Sequence, residues 1–316
     1  MKKFAMLLAM LLVLFAFGCG EQGGHPAPAG EGGEAGEAAD SGDNGSGGEE
    51  GRSGDVSIEY MDPAVGQWIA YGVEGEEAEA VFSIVAEEEG CLWYQIEFDG
   101  EAVAQVLIDP EILGQLTEMG SGYIDEFMAD PVAYMEEYMP ENGNIMENEE
   151  YLENMILFLT AVKKIKVNDG TQLMLLDMAG VPELVEEMIA ENPDFLDESM
   201  DPEQGAEMEE MMAELEQAEF SVDQVDIDGV DCTVFTASHP EEGTITVAIS
   251  DELPIVPLME ARVEPLDAQE EGGAVMVTGW GFEGAENLMT DEPDQVIPLA
   301  MMLQGFAAQF EGAAAE

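Results

Sequence analysis

Alternating apolar and polar residues between positions 56 and 108 predict a series of short strands, each with one apolar face. Acidic or glycine-containing turns separate the segments, which is typical of an antiparallel meander. The predicted strands are Val56–Tyr60, Gln67–Val73, Glu79–Val85, Leu92–Phe98 and Val103–Ile108.

Between about residues 110 and 218 the apolar residues recur every three to four positions, which predicts a mainly helical middle section. Asp201 is a suitable N-cap for a helix whose first residue is Pro202, since proline is favoured at that position. The predicted elements are helical segments at 112–116, 123–138, 151–166, 181–189 and 202–218, with one short strand at 171–176.

Strand patterns return after residue 219, and a closing apolar helix is predicted for residues 295–310. Asp228-Gly229 fits a two-residue hairpin turn between two of the strands. Two sets of antiparallel strands around a helical middle section predict an α+β fold. We expect residues 55–316 to form one domain. The predicted strands of the second set are Phe220–Ile227, Val230–Ala237, Thr244–Ile249, Ile255–Val263 and Ala274–Trp280.

The first 18 residues have the pattern of a secretory signal peptide. Lys2 and Lys3 precede an apolar run, residues 4–17, that is too short to cross a bilayer comfortably. The end of this run, Ala16-Phe17-Gly18-Cys19, resembles the lipobox of bacterial lipoproteins. That resemblance implies acylation of Cys19 and a lipid anchor in a bacterial membrane, with the protein facing the periplasm or the exterior. The alternative is an ordinary signal peptide with an incidental cysteine.

Residues 19–54 comprise Cys19 and a predicted disordered tether. Glycine, alanine, serine and acidic residues dominate the segment, and it contains no aromatic or large aliphatic residue. Such a composition cannot bury enough surface to offset the entropy of ordering the chain. The segment is therefore predicted to hold a folded body away from the membrane.

The strong negative charge of the chain argues against nucleic acid as a partner and indicates a saline environment. The chain has 71 acidic and 7 basic residues, giving a formal net charge of −64. Nucleic acid is excluded as a partner, because phosphate contacts need clustered lysine and arginine. Most acidic residues need inorganic cations as counterions, which predicts a halophilic protein. After removal of the signal peptide, the basic residues are Arg52, Lys163, Lys164, Lys166 and Arg262.

The three clustered lysines, Lys163, Lys164 and Lys166, have two interpretations. They can offset a neighbouring acidic face and stabilise the end of the helix that precedes them. Alternatively, they can contact an anionic group of a ligand.

The remaining cysteines and histidine give no catalytic or metal-binding motif. Cys91 and Cys232 lie in predicted strands, where they form either a disulfide between the two strand sets or two buried thiols. His239 has no GxSxG motif to accompany it and is interpreted as a turn residue. We identify no metal-ligand set and no cofactor motif, so the sequence predicts a protein that is not an enzyme.

The order of tether, strand meander, helical middle and returning strands resembles that of the half-barrel lipoproteins, which include the periplasmic lipoprotein carrier and its outer-membrane acceptor. The meander contributes Val65-Gly66-Gln67-Trp68-Ile69-Ala70-Tyr71 to this resemblance. Gly229-Val230-Asp231-Cys232 and Ser250-Asp251-Glu252-Leu253-Pro254-Ile255 resemble a layout found in uncharacterised exported domains. Over about residues 55–290, the resemblance implies a curved antiparallel sheet, with helices over its concave apolar face and an acyl chain or other apolar ligand between them.

Three functional hypotheses follow from these patterns. The first is a membrane-anchored, non-enzymatic binding module for a lipid or other apolar ligand. The alternative is a structural envelope lipoprotein that associates with cations and has no ligand pocket. The third is a hydrolase whose site would combine His239 with a serine and a carboxylate.

We expect the stability of the folded protein to depend on the salt concentration. Self-repulsion among the carboxylates weakens a compact state, and molar salt shortens the Debye length to about 3 Å. The melting temperature should therefore rise between low and molar NaCl, as followed by circular dichroism. An unchanged melting temperature over that range would contradict the halophilic interpretation.

Overall fold

The computed structural model describes residues 61–116, 133–134, 149–191, 215, 217–266 and 272–304. The predicted signal peptide, Cys19, the tether and the predicted strand Val56–Tyr60 lie outside the described residues. So do nearly all of the helices predicted at 123–138 and 202–218. Among the described residues, no helix is long and apolar enough to cross a bilayer.

The described strands form one open, 12-stranded sheet. Its order is β12-β6-β5-β4-β3-β2-β1-β11-β10-β9-β8-β7, and all neighbours are antiparallel except β12 and β6. The strands are β1 Trp68–Val73, β2 Glu79–Glu88, β3 Cys91–Phe98, β4 Glu101–Ile108, β5 Val162–Asn168, β6 Leu173–Asp177, β7 Glu219–Ile227, β8 Val230–His239, β9 Gly243–Ile249, β10 Leu258–Pro265, β11 Gly273–Gly281 and β12 Gln295–Pro298.

The two predicted strand sets are joined into this sheet by the pairing of β1 with β11. The register places Ile69 opposite Trp280 and Tyr71 opposite Val277. Within the second set, the Asp228-Gly229 turn has positive φ at both residues (54° and 86°). These values match the tight hairpin turn predicted for that dipeptide. The coarse prediction of an α+β fold with an open antiparallel sheet is thereby confirmed.

Helices accompany the strands in the described parts of the middle section. Helix α1 spans Glu149–Ala161, helix α2 spans Val181–Glu191, and residues 110–116 and 299–304 are also helical. The prediction that the α1 helix extends to residue 166 is wrong, because residues 162–168 form β5. Val162, Ile165 and Val167 are β-branched, and β5 is hydrogen-bonded between β4 and β6.

Three apolar clusters stabilise the described elements. The cluster of the second strand set includes Ile69 and Tyr71 of β1, and a small one surrounds Trp93. The third joins the helices to the sheet, since Phe158 of α1 and Val185 of α2 pack with Val106. We call the sheet face that carries Val106 the helix face.

The chain after β11 crosses the opposite face of the sheet. Residues 282–294, which we call the strap, run from the end of β11 to β12 at the far edge. Residues 295–298 then pair with β6 as a parallel strand, so the predicted helix at 295–310 begins four residues later than expected. Leu299 and Leu303 pack in the helix-face cluster. The segment 282–304 therefore passes around one edge of the sheet from one face to the other.

Candidate functional site

A row of polar side chains lies on the face that the strap crosses, which we call the strap face. The register places Trp68, Ser83, Gln95, Gln105 and Lys166 opposite one another across β1 to β5. Both glutamine side chains are fully buried in the middle of otherwise apolar strands. A buried amide needs hydrogen-bond partners, and the strap supplies half of the six bonds that the two amides make.

Gln95 connects the strap to β3 through both ends of its amide. Its Nε2 donates to the carbonyl oxygen of Glu286 (3.0 Å), and its Oε1 accepts the backbone N–H of Leu288 (2.9 Å). Nε2 also donates to Glu97 Oε1 (2.7 Å), and Oε1 also accepts from Gln105 Nε2 (2.8 Å). All four hydrogen-bonding positions of the amide are therefore used.

Gln105 extends the same network to the neighbouring strands. Its Nε2 donates to Asn287 Oδ1 of the strap (2.7 Å). Its Oε1 accepts from Lys166 Nζ of β5 (3.3 Å), and Lys166 Nζ also reaches the carbonyl oxygen of Met289 (3.4 Å). The strap residues 286–289 thus bond to side chains of three neighbouring strands, β3, β4 and β5.

Backbone hydrogen bonds hold both ends of the strap. The N–H of Ala285 donates to the carbonyl oxygen of Gly66, immediately before β1 (3.0 Å). At the other end, the N–H of Asp294 donates to the carbonyl oxygen of Leu173, and the N–H of Leu173 donates to Asp294 Oδ2 (both 2.8 Å). The strap is consequently attached to the turn before β1 and to β3, β4, β5 and β6.

Lys166 is stabilised without a carboxylate partner among the described residues. Its Nζ lies 4.5 Å from the ring centroid of Trp93, a cation–π contact with a largely buried indole. Burial lowers the pKa of Lys166, and the nearby Glu88 carboxylate partly opposes this effect. The ammonium therefore supports the strap instead of pointing freely into solvent.

Lys164 forms an ion pair with Glu88, which also accepts a hydrogen bond from Trp93 Nε1 (3.0 Å). The bond from Lys164, supported by the bond from Trp93, lowers the pKa of Glu88. The same contact with Glu88 raises the pKa of Lys164. Glu88 thus holds Lys164 and the indole of Trp93 together at one end of the strap face.

Lys163 is the second residue of β5, and its side chain reaches back to the end of helix α1. Its Nζ donates to the carbonyl oxygen of Thr160 (2.8 Å) and lies 3.5 Å from Asp109 Oδ2. Lys163 thus contacts a carbonyl group of the last turn of α1, where a cation is favoured, and an adjacent carboxylate. Each of the three lysines contacts groups of the protein itself, and contact with an anionic ligand stays a prediction.

A cavity of about 250 Å³ lies between the strap and β1, β2 and β3. Trp68 forms one wall, and its indole lies against the backbone of β11. A Cβ atom on Gly281 would be 2.6 Å from Trp68 Nε1, and one on Gly279 would be 3.3 Å from the ring. Ser83 also lines the cavity, and its buried Oγ has no hydrogen-bond partner among the described residues.

The structure does not bring Cys91 and Cys232 together. Both are free thiols, and five strands lie between β3 and β8 in the sheet order. A disulfide needs Cα atoms within about 7 Å, so the disulfide alternative is wrong for this fold. Burial is the main cause of the raised pKa of both thiols, which reaches about 11 for Cys232.

His239 ends strand β8 and is buried. Its Nδ1 accepts the backbone N–H of Glu241 (3.4 Å), while its buried Nε2 has no hydrogen-bond partner among the described residues. Neighbouring Ser238 instead shares a hydrogen bond with Thr244 Oγ1 (3.2 Å). Within the described ranges, no group of three or more histidine, cysteine and acidic side chains is arranged to hold a metal ion.

The sequence interpretation missed Gln95 and Gln105. The available signal was a long amide side chain at the centre of two consecutive apolar strands, where an unpartnered amide is costly. That signal indicates a buried polar contact, but it does not identify the strap as the partner.

Replacing Gln95 by leucine should destabilise the protein strongly. Gln95→Leu removes four hydrogen bonds and leaves the buried amide of Gln105 and the strap backbone groups of Glu286 and Leu288 short of a partner, at a cost of about 3 kcal/mol in unfolding free energy. The measurement is denaturant unfolding at high salt. Gln224→Leu, on the exposed edge strand β7, is the control and should change stability by less than about 0.5 kcal/mol. Equal effects of the two substitutions would contradict the role of Gln95.

Glu88 should contribute a pH-dependent part of the stability. Because its folded-state pKa lies below the ordinary 4.5, its contribution is fully present above that value and is lost as the pH falls through the lowered pKa. Its size is about 0.5 kcal/mol, because the pair is partly exposed to solvent. In thermal melts at pH 6, Glu88→Gln should be less stable than wild type. This difference in stability should shrink as the pH falls to 3. The exposed neighbour variant Glu87→Gln is the control, and a constant Glu88→Gln difference would contradict the assignment.

Comparisons with known proteins give no family for this chain. No protein-family model matches the chain, and no curated protein matches it. Among solved structures, the chain is similar to the hypothetical protein CT021 from Chlamydia trachomatis, with a TM-score of 0.26 and 6% sequence identity. That match covers 73% of this chain and 94% of the other.

Proposed function

We propose that this protein is an extracytoplasmic lipoprotein, anchored to a bacterial membrane through Cys19. Its folded body is a non-enzymatic binding module for a lipid or other apolar ligand. The lipobox-like N-terminus and the acidic tether support the anchoring part of the proposal. The ligand part rests on one observation, the half-buried apolar surface of the helix face between β2 and β6.

Two cross-strand rows of apolar side chains form this surface. The register aligns Tyr94, Val106, Ile165 and Leu176 in one row across β3 to β6. A second row extends from β2 to β6, and all nine side chains of the two rows are half-buried. The residues of the second row are Phe82, Ile96, Ala104, Val167 and Met174.

The opposite half of the sheet is packed more closely. Ile245, Val247 and Ile249 of β9 are each at most 5% exposed, because neighbouring strands and the loop that contains Leu253 cover them. The rows on β2 to β6 therefore retain apolar area that a ligand can remove from water. Each buried methylene of an acyl chain contributes roughly 0.8 kcal/mol.

In this proposal the ligand lies across the strands on the helix face, beside α1 and α2. The strap, on the other face, keeps β1 to β6 in register while the ligand enters or leaves. The lipid anchor keeps the body near the membrane that supplies the ligand, and the tether sets its reach. No chemical step is required of the protein.

Native mass spectrometry of the gently purified chain at high salt tests this function. We expect a bound mass that disappears on organic extraction and returns when phospholipid or fatty acid is added. A clean apo mass, with no uptake of either lipid, would contradict the proposal and favour a structural, cation-associated envelope lipoprotein.

A matched pair of variants locates the ligand. Ile96→Glu places a charge within the half-buried rows and should abolish lipid uptake. Val222→Glu places the same charge on β7, where Val222 is 38% exposed, and should leave uptake unchanged. Unchanged uptake by Ile96→Glu, with its melting temperature preserved, would place the ligand elsewhere.

A further inference from the structure

The cavity under the strap has a lining whose chemistry differs from that of the helix face. Its walls combine the indole of Trp68 and the aliphatic side chains of Val81 and Leu288 with the carboxylates of Glu97 and Glu286. None of the described residues that line it is basic. An aromatic face beside carboxylates attracts a cation, through the ring quadrupole and through direct charge.

The carboxylates of the cavity are placed by the structure and are not neutralised by it. Glu97 Oε1 accepts the bond from Gln95 Nε2, which orients its carboxylate at the sheet surface. Glu286 lies on the strap, whose backbone Gln95 holds at that position. No described lysine or arginine forms an ion pair with either carboxylate, although such pairs exist elsewhere in the sheet.

A buried hydroxyl group without a hydrogen-bond partner in the described ranges, that of Ser83, belongs to a residue that lines the same cavity. Ser83 is 2% exposed, and its Oγ is buried without a hydrogen-bond partner in the described part of the chain. Ser83 lies between Trp68 and Gln95 in the cross-strand row. A buried hydroxyl without a partner is uncommon in a folded protein, and a ligand with its own hydroxyl group would satisfy it.

The cavity is open to solvent on one side, and its volume is large enough for a small molecule. A dry cavity of about 150 Å³ accommodates benzene, and this one has a volume of about 250 Å³. That volume suits a compact organic ammonium ion with a short hydroxylated arm. Its methyl groups would contact Trp68, Val81 and Leu288, while its charge would lie near the two carboxylates.

We propose that the cavity between the strap and the sheet binds a small quaternary ammonium ion of the choline type. The cation lies against Trp68 between Glu97 and Glu286, and a ligand hydroxyl reaches Ser83 Oγ. The site is on the strap face, opposite the apolar rows, so it does not depend on the lipid-binding proposal. The same ammonium group occurs in free choline and in lipid head groups, and the experiment separates these sources.

The test is a titration of the full chain with choline, followed by tryptophan fluorescence and calorimetry at constant chloride concentration. We expect saturable binding by wild type, and a dissociation constant about three- to tenfold higher for Glu286→Gln. Glu283→Gln, an exposed carboxylate on the same strap that does not line the cavity, is the matched control and should leave binding unchanged. Glycine betaine should bind more weakly than choline, because its carboxylate is repelled by the two glutamates.

Two further titrations decide the source of the cation and the role of the aromatic wall. Glycerophosphocholine that binds at least as tightly as choline supports a lipid head group, whereas binding of choline alone supports a free cation. Trp68→Phe should weaken binding by about two- to threefold, since phenylalanine is a weaker cation–π partner.

Three outcomes would overturn the proposal. They are the absence of saturable choline binding by a folded wild-type chain, equal binding by wild type and Glu286→Gln, and equal losses in Glu286→Gln and Glu283→Gln. The last result would mean that choline acts only as a general counterion. Because uptake of phospholipid or fatty acid is measured separately, failure of this site would leave the lipid-binding result unaffected.

Discussion

The contact on which the arrangement depends is the buried amide pair of Gln95 and Gln105. A chain segment that crosses the face of a sheet cannot use the sheet's own ladder to satisfy its backbone groups. Gln95, in the middle of β3, satisfies the backbone groups of Glu286 and Leu288, and Gln105, in the middle of β4, donates to the side chain of Asn287. They hold the strap on the sheet and give the cavity beneath it a roof.

Strands with a clear period of two were predictable from the sequence, whereas pairings between distant segments were not. The tight turn at Asp228-Gly229 was also accessible, because few residue pairs adopt positive φ twice in succession. Strand β5 was missed, since Val162-Lys163-Lys164-Ile165-Lys166-Val167 alternates poorly and follows a helical pattern without a break. Strand β12 was missed because Gln295–Pro298 begins an apolar run, and its parallel partner β6 lies more than 100 residues earlier.

In the candidate site, too, individual residues could be predicted from the sequence, whereas their contacts with distant residues could not. The sequence drew attention to Lys164 and Lys166, because basic residues are rare in this chain, but it could not name their partners. Trp93 and Glu88 become partners only through the register of β2, β3, β4 and β5. The cavity depends in addition on the strap, whose residues Gly284 and Glu286 lie about 200 positions after Trp68 and Ser83.

The path of residues 282–304 also sets an order of events during folding. The strap binds side chains from β3, β4 and β5 together, so it has no surface to dock on until those strands have paired. Strand β12 then needs the edge of β6, and Leu299 and Leu303 need a formed helix-face cluster. Residues 282–304 can therefore make their native contacts only after β3 to β6 have paired.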